Sequence, residues 1–452
     1  MRRSPTVSVW IALALIAVSV PMRSSPAEAA PGDLDRSFRD DGTLVTNITP
    51  WNENVGDMAI QLNGRIVVVG RASTRQGYGR FAVIRYRPDG ALDRSFGGDG
   101  IVTTDLTARE DAATGVAIQP DGKIVVVGIA TGARGRARFA VVRYERNGAL
   151  DGTFGDDGAM TVRVAAGGND DASDVAIGPD GKIVVVGTTS ALREIAVARI
   201  DPTGGLDPTF DGDGKVTWAP GDGFAYGSAV ALQPDGRIVV AGQSWTESAF
   251  DGIVVLRYEP EGTLDEAFGT DGVATAEFTA GTDGGGDGAG GVALQPDGKI
   301  VVAGDAGGPA EYTSRFGLAR FGDDGALDAT FGGDGTVRTN FTKLDDSARN
   351  LAIQPDGKIV AVGVAGFGWD SLSTFALARY EADGSLDDTF GDGGKLRTPF
   401  GGAGPGGLID ILGARAAAVE LQPDGRIVVA GEVDRANVDR LDGRFAVARY
   451  LA

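Results

Sequence analysis

The sequence predicts an all-β fold built from seven copies of a four-stranded antiparallel unit. Three short strings each recur seven times in a fixed order, which indicates a repeat architecture. Each period holds four short segments that are rich in β-branched residues and bounded by Gly, Asp and Pro, as strands are. Beyond the N-terminal stretch no segment has sustained 3.6-residue apolar periodicity, so we expect a helix content close to nil.

The repeat is defined by three strings whose copies lie about 58 residues apart. The string Leu-Asp-x-x-Phe begins at Leu34, Leu92, Leu150, Leu206, Leu264, Leu327 and Leu386. The string Gln-Pro-Asp-Gly-Lys-Ile-Val-Val-Val-Gly begins at Gln61, Gln119, Gly178, Gln233, Gln295, Gln354 and Gln422. The string Phe-Ala-Val-x-Arg-Tyr begins at Phe81, Phe139, Ile195, Ile253, Phe316, Phe375 and Phe445.

The second full copy predicts strands at 116–119, 123–128, 139–144 and 158–164. Its Pro-Asp-Gly-Lys turn predicts a tight hairpin between the first two strands, because glycine takes the positive φ that the turn needs. Residues 124–127 are apolar on both faces, which suits a blade packed between two neighbouring blades. The sequence therefore predicts a seven-bladed β-propeller. A β-solenoid is the main alternative, but its coils are usually shorter and need capping units.

The two ends of the repeat region predict how the ring closes. The region opens with a strand at 42–48, the last piece of a unit, and closes with a strand at 445–450, the third piece. We expect the N-terminal strand to complete the last blade, which would remove an exposed sheet edge.

These strings resemble the delta-60 repeat of exported bacterial proteins, a β-propeller domain of unknown function. The match covers the chain from Leu34 to Tyr450, and the hairpin is more loosely similar to that of NHL propellers. The resemblance implies the propeller fold and export. It brings no activity and no catalytic residues.

Two charged positions recur in every copy, and we interpret both as structural because a site needed once would not be repeated seven times. The acidic position holds Asp35, Asp93, Asp151, Asp207, Asp265, Asp328 and Asp387. The basic position holds Arg85, Arg143, Arg199, Arg257, Arg320, Arg379 and Arg449. An arginine inside an apolar strand is costly unless it is paired. We therefore predict that each arginine contacts a carboxylate or turn carbonyls of the following Leu-Asp-x-x-Phe loop.

The first residues indicate export. Arg2 and Arg3, an apolar run at 7–20 and the small residues Ala27 and Ala29 predict a secretory signal peptide at 1–29, followed by a single propeller domain at 30–452. A retained N-terminal anchor is the alternative. We expect a secreted protein, or one at the exterior of the cell envelope, that is a monomer and has no integral membrane segment after removal of the signal. The expected partner is an unknown protein, glycan or small ligand. The net charge of −20 argues against nucleic acid as a partner.

Loop length varies at only two of the four connections of the repeat, and in a meander these two emerge on the same face. We call this the variable-loop face, with long loops expected at 279–290, 399–414, 306–315 and 432–444. Aromatic residues in loops over a rigid scaffold are typical of binding surfaces. The predicted ligand-binding residues are Trp51, Trp218, Tyr226, Trp245, Tyr312 and Trp369.

The favoured function is a non-enzymatic binding or scaffold module that uses the variable-loop face. With no histidine and no cysteine, the chain excludes Ser-His-Asp and Cys-His catalysis and zinc sites built on those ligands. The alternative is a carboxylate-dependent glycan hydrolase or lyase, with candidate acids Glu53, Asp57, Asp111, Asp222 and Glu247.

No cofactor is expected. Calcium is the open alternative, because the loop from Asp211 to Gly214 begins like an EF-hand. However, Lys215 and Val216 stand where a ligand and the required glycine belong.

Overall fold

The structure is a computed structural model that describes residues 29–190, 193–221, 223–246, 250–278, 287–307, 314–367, 373–400, 411–437 and 440–452. This part of the chain contains 28 strands and no helix, as the periodicity predicts. The predicted signal peptide lies outside the described residues except for Ala29.

The strands form seven sheets of four, which we number as blades in chain order. The strand that opens the chain is β1 (Thr43–Thr46). Blade 1 contains β2 (Glu53–Ile60), β3 (Ile66–Ser73), β4 (Gly79–Tyr86) and β5 (Ile101–Thr104). Blade 2 contains β6 (Asp111–Ile118), β7 (Ile124–Thr131), β8 (Ala137–Tyr144) and β9 (Ala159–Val162). Blade 3 contains β10 (Asp170–Ile177), β11 (Ile183–Thr189), β12 (Glu194–Ile200) and β13 (Lys215–Trp218).

The remaining blades repeat this order. Blade 4 contains β14 (Phe224–Leu232), β15 (Ile238–Trp245), β16 (Phe250–Tyr258) and β17 (Val273–Ala276). Blade 5 contains β18 (Gly288–Leu294), β19 (Ile300–Gly307), β20 (Ser314–Phe321) and β21 (Thr336–Thr339). Blade 6 contains β22 (Asp345–Ile353), β23 (Ile359–Phe367), β24 (Thr374–Tyr380) and β25 (Lys395–Thr398). Blade 7 contains β26 (Ile411–Leu421), β27 (Ile427–Asn437), β28 (Arg440–Tyr450) and, as its fourth strand, β1. The seven-bladed propeller prediction is confirmed.

The second strand of each blade is apolar on both faces because it lies between two neighbouring blades. In β3, Val67 and Val69 pack into the cluster shared with blade 2, whereas Ile66 and Val68 pack into the cluster shared with blade 7. All four side chains are fully buried. The hydrophobic core thus consists of seven layers, one between each pair of adjacent blades, and both blades of a pair contribute side chains to the layer between them.

The innermost strand of every blade carries a bulge, and the glycine that ends the Val-Val-Val-Gly run lies beside it. In blade 2 the register shifts between Ala113 and Gly115, so that Thr114 is the extra residue. A Cβ on Gly128, opposite this bulge, would lie 2.0 Å from the carbonyl oxygen of Ala112. Only glycine fits such a close approach of two backbones.

The repeated arginine contacts the repeated aspartate in every blade, as predicted. In blade 2, Arg143 Nε lies 2.6 Å from Asp151 Oδ2, and its guanidinium lies 4.5 Å from the ring centroid of Phe154. Its Nη1 also donates to the Pro202 carbonyl of blade 3 at 2.7 Å. We call the arginine, aspartate and phenylalanine a clamp. Among the described residues, the clamps of six blades join a strand and its Leu-Asp-x-x-Phe loop to a backbone carbonyl of the next blade.

The ring closes by the same contacts. β1 pairs antiparallel with β28, and the clamp of blade 7 is formed by Arg449 with Asp35 and Phe38 from the other end of the chain. Arg449 Nε lies 2.9 Å from Asp35 Oδ2. Closure by the N-terminal strand is consistent with this sheet, so the two ends of the repeat region share one blade.

Several predicted bounds are wrong. The first strand of blade 2 begins five residues earlier than expected, at Asp111, and the outermost strands are shorter than expected. Most of the loop expected at 432–444 is strand, because Arg415 forms salt bridges with Glu432 and Asp434 and so stabilises polar residues within a long hairpin. The expected loops at 279–290, 306–315 and 399–414 likewise include strand residues at their edges.

Candidate functional site

Four of the predicted ligand-binding aromatic residues lie in the described part of the chain, and of these only Tyr226 and Trp245 stack on each other. Tyr226 lies in β14 and Trp245 ends the neighbouring strand β15. Trp51 lies at the border of blades 7 and 1, where its carbonyl accepts a hydrogen bond from Arg444. Trp218 ends the outermost strand of blade 3. The predicted residues Tyr312 and Trp369 lie outside the described residues.

Blade 4 carries a compact aromatic cluster at the variable-loop face. The rings of Tyr226 and Trp245 are stacked, with centroids 5.2 Å apart and an interplanar angle of 27°. Phe224 meets Trp245 edge to face at 5.9 Å, and the Arg193 guanidinium of blade 3 lies 4.6 Å from the Phe224 centroid. All three rings are half-buried, so each presents part of its surface to solvent. We call Phe224, Tyr226 and Trp245 the aromatic cluster.

Next to the aromatic cluster lies a cavity of about 460 Å³ at the centre of the ring. Its wall includes the bulge residue of every blade: Gly56, Thr114, Ser173, Ser228, Gly290, Arg349 and Ala417. Blade 5 contributes more of the lining than any other blade, including Gly288, Gly290 and Gly291. Gln243, which pairs directly opposite Tyr226, also lines it and so connects the cavity to the aromatic cluster.

Blades 5 and 6 bring polar groups to the cavity that the repeat does not require. Asp305 follows the glycine that ends the Val-Val-Ala-Gly run of β19, and Ser347, Arg349 and Asn350 come from β22. Burial raises the pKa of Asp305 to about 6, although a hydrogen bond with Ser347 and the charge of Arg349 oppose the shift. Within the described part of the chain, Asp305 Oδ1 is buried without a hydrogen-bond partner. This oxygen can accept a hydrogen bond from a bound ligand.

Two further carboxylates in the cavity wall hold neighbouring blades together. Asp57 accepts a hydrogen bond from the Val116 amide at 3.0 Å, and Asp174 accepts one from the Val230 amide at 2.9 Å. Both amides lie just beyond a bulge, where the ladder leaves a donor unpaired. Burial raises the pKa of Asp174 to about 6, and burial together with the charge of Asp174 raises the pKa of Asp57 well above its usual range.

Of the other candidate acids, Glu53 and Asp111 are fully buried anchors of loops. Glu53 accepts the Ile48 amide at 2.8 Å, and Asp111 accepts the Leu106 and Thr107 amides, each at 2.8 Å. Both residues have no exposed surface, so neither presents its carboxylate to a ligand. The candidates Asp222 and Glu247 lie outside the described residues.

Sequence reasoning named Asp57, which lies in the cavity wall, but missed the other polar residues of the cavity. Gln243, Asp305 and Arg349 depart from their counterparts in the other repeats. Aligning the seven innermost strands position by position could have found these departures. Knowing that they meet required the register of the blades around the ring.

No group of three or more acidic, histidine or cysteine side chains suited to a metal ion occurs among the residues described. The expectation that no cofactor is bound, with calcium as the alternative, stays a prediction. In the described residues no helix is long and apolar enough to cross a membrane.

Solved structures to which this chain is similar include two lyases and an arabinanase. A catalytically inactive virginiamycin B lyase from Staphylococcus aureus is 11% identical, with a TM-score of 0.49 over 90% of this chain and 98% of the lyase. The polysaccharide lyase Uly1 is 12% identical, with a TM-score of 0.48 over 90% of this chain and 91% of the lyase. An α-L-arabinanase from Penicillium chrysogenum is 12% identical, with a TM-score of 0.46 over 74% of this chain and 98% of the arabinanase.

The comparison with sequence families identifies the family of this chain. No curated protein sequence matches the chain significantly. A β-propeller domain of unknown function, DUF5122, matches at residues 61–96, 119–154, 178–210, 233–268, 295–331, 354–390 and 422–452. These matches cover more than half of the chain and one falls in each blade. The chain therefore belongs to the DUF5122 β-propeller family, whose function is unknown.

Proposed function

We propose that this protein is an exported, non-enzymatic binding propeller of the delta-60 type, which binds a glycan or other small polar ligand on its variable-loop face. The observation that carries the proposal is the aromatic cluster beside the polar central cavity. Stacked rings offer a flat apolar surface to a sugar ring, while amide, hydroxyl and carboxylate groups next to them can bond its hydroxyls. A protein partner on the same face is the other ligand class that this surface suits.

The proposal includes the signal peptide at 1–29 and action as a monomer outside the cell. The acidic surface, at a net charge of −20, disfavours nucleic acid and anionic lipid. No step of the proposed function calls for a metal or cofactor.

The test is a binding screen of the chain from residue 30 onward against soluble oligosaccharides, by thermal shift and then by calorimetry. For a ligand so found, Trp245→Ala and Gln243→Leu should each weaken binding roughly tenfold or more, because one removes a contact surface and the other a hydrogen-bonding group. Leu62→Ala truncates an exposed apolar side chain in the hairpin turn of blade 1, on the other face, and is the control. Unchanged affinity in both Trp245→Ala and Gln243→Leu would refute this placement of the site.

A carboxylate-dependent glycan hydrolase or lyase is the second candidate, and Asp305 favours it. A carboxylic acid whose pKa is raised to about 6 can donate a proton near neutral pH, as a general acid must. The same screen should then detect turnover of a polysaccharide, and Asp305→Asn should abolish it. A ligand that binds and is recovered unchanged supports the binding module over the enzyme.

A further inference from the structure

A second departure from the repeat occurs at the outer rim, between blades 3 and 4, away from the central cavity. In four of the seven blade borders, a threonine at the end of the outermost strand bonds the hydroxyl of a tyrosine that ends the third strand of the next blade. These pairs are Thr46–Tyr86, Thr104–Tyr144, Thr339–Tyr380 and Thr398–Tyr450, with oxygen–oxygen distances of 2.6 to 2.7 Å.

Where the threonine is absent, the tyrosine is usually absent too. Val162 stands opposite Ile200, and Ala276 stands opposite Phe321, so an apolar residue meets an apolar residue. The border of blades 3 and 4 is the exception, because Trp218 occupies the threonine position while the next blade keeps Tyr258. Among the described residues the Tyr258 hydroxyl is buried without a hydrogen-bond partner.

A buried hydroxyl without a hydrogen-bond partner destabilises the folded protein, so its retention beside a tryptophan calls for a reason. A cavity of about 400 Å³ adjoins it, lined by Trp218, Tyr258, Asp211, Asp213 and Lys215. Tyr258 is 2% exposed, and burial followed by the charge of Asp211 raises its pKa, so the phenol stays neutral and can accept a hydrogen bond.

The charges in this cavity favour a cation. Lys215 Nζ lies 3.3 Å from Asp213 Oδ2, so these two residues balance each other. The Asp211 carboxylate makes no ion pair with any other described residue. An aromatic ring, an unpaired carboxylate and a hydrogen-bond acceptor together suit a guanidinium or ammonium group, which interacts with the ring face as well as with the negative charge. The net charge of −20 raises the local concentration of such ligands.

We propose that the notch formed by Trp218, Tyr258 and Asp211 binds an organic cation, a guanidinium or ammonium group, with the Tyr258 oxygen accepting one of its N–H bonds. The notch is independent of the aromatic cluster in blade 4. Because the hydroxyl is buried, the indole of Trp218 must shift when the cation enters.

The test uses agmatine as the probe and calorimetry as the measurement, with the chain from residue 30 onward. Trp218→Thr recreates the pair seen at four other blade borders, so it should keep the fold, restore the missing hydrogen bond and weaken agmatine binding about tenfold or more. Asp211→Asn should weaken it similarly. Asp99→Asn makes the same charge change in a turn of blade 1 and should leave agmatine affinity unchanged.

Further binding measurements distinguish two sources of the cation and include the results that would overturn the proposal. A capped Gly-Arg-Gly peptide that binds as well as agmatine identifies a basic side chain as the natural source of the cation, whereas agmatine binding alone identifies a small amine. Absence of agmatine binding at millimolar concentration would overturn the proposal. Equal binding of citrulline, a neutral analogue of arginine, or full affinity in Trp218→Thr would overturn it as well. None of these three results bears on oligosaccharide binding by the aromatic cluster.

Discussion

Replacing one clamp arginine measures what joins neighbouring blades. Arg143→Met keeps an apolar stem of similar length but removes the ion pair with Asp151, the hydrogen bond to the Pro202 carbonyl and the contact with the Phe154 ring. Breaking a buried pair usually costs 3–5 kcal/mol, because one charge is left without compensation. Here Lys123 stays 2.7 Å from Asp151, so we expect the free energy of unfolding to fall by about 3 kcal/mol.

Because Lys123 also pairs with Asp151, variants of both cations give a second and more specific prediction. Lys123→Met alone should cost about 1 kcal/mol or less, because the lysine is partly exposed and Asp151 keeps its arginine. The double variant leaves a buried carboxylate with no cation, so its cost should exceed the sum of the two single costs. Urea denaturation followed by far-ultraviolet circular dichroism measures all three variants.

The matched control is Arg87→Met, which breaks an exposed pair with Asp89 and should cost about 1 kcal/mol or less. The reasoning would be refuted if Arg143→Met cost no more than Arg87→Met, or if the Lys123 and Arg143 costs were simply additive. Either result would mean that the clamp holds no buried charge that the fold depends on.

Three other outcomes follow from the structure. Gly128→Ala should lower the melting temperature by several degrees, since its Cβ would lie 2.0 Å from a carbonyl oxygen; an unchanged melting temperature would show that the bulge can relax. Tyr144→Phe should lower the free energy of unfolding by about 1 kcal/mol, because it removes the bond to Thr104, whereas Tyr258→Phe should raise it by about 1 kcal/mol, because it removes an unpaired buried hydroxyl. Urea titration measures both, and equal losses would contradict the unpaired state of Tyr258. Asp174→Asn should raise the melting temperature at pH 7 but not at pH 4. The pKa of Asp174 is raised to about 6 in the folded protein, so ionisation of this carboxyl destabilises the folded state as the pH rises from about 4 to 6. The same gain in melting temperature at both pH values would rule out this titration.

The blades could be predicted from the sequence, because every copy of the repeat must bury the same positions against two neighbours. The Ile124-Val125-Val126-Val127 run indicates a strand covered on both faces, and the repeated arginine and aspartate indicate a paired charge inside that core. Such requirements act at each copy and therefore leave a repeated pattern.

The candidate sites left no repeated pattern. Gln243, Asp305 and Arg349 come from three different blades, and only the ring geometry brings them to one cavity. Trp218 was predicted from its residue type, but its neighbour Tyr258 belongs to a repeated string and looked structural. What distinguishes Tyr258 is the absence of its usual threonine, which becomes visible only once the register between adjacent blades is known.

The shared seventh blade imposes an order of assembly on the chain. β1 is synthesised before blades 1 to 6 and its partner β28 after them, so β1 has no strand to pair with until all six of these blades have been made. Blades 1 to 6 are each contiguous in sequence and can form earlier. A chain cut short before β28 would therefore leave two unpaired strand edges at once, those of β1 and β27, and either could recruit a strand from another copy.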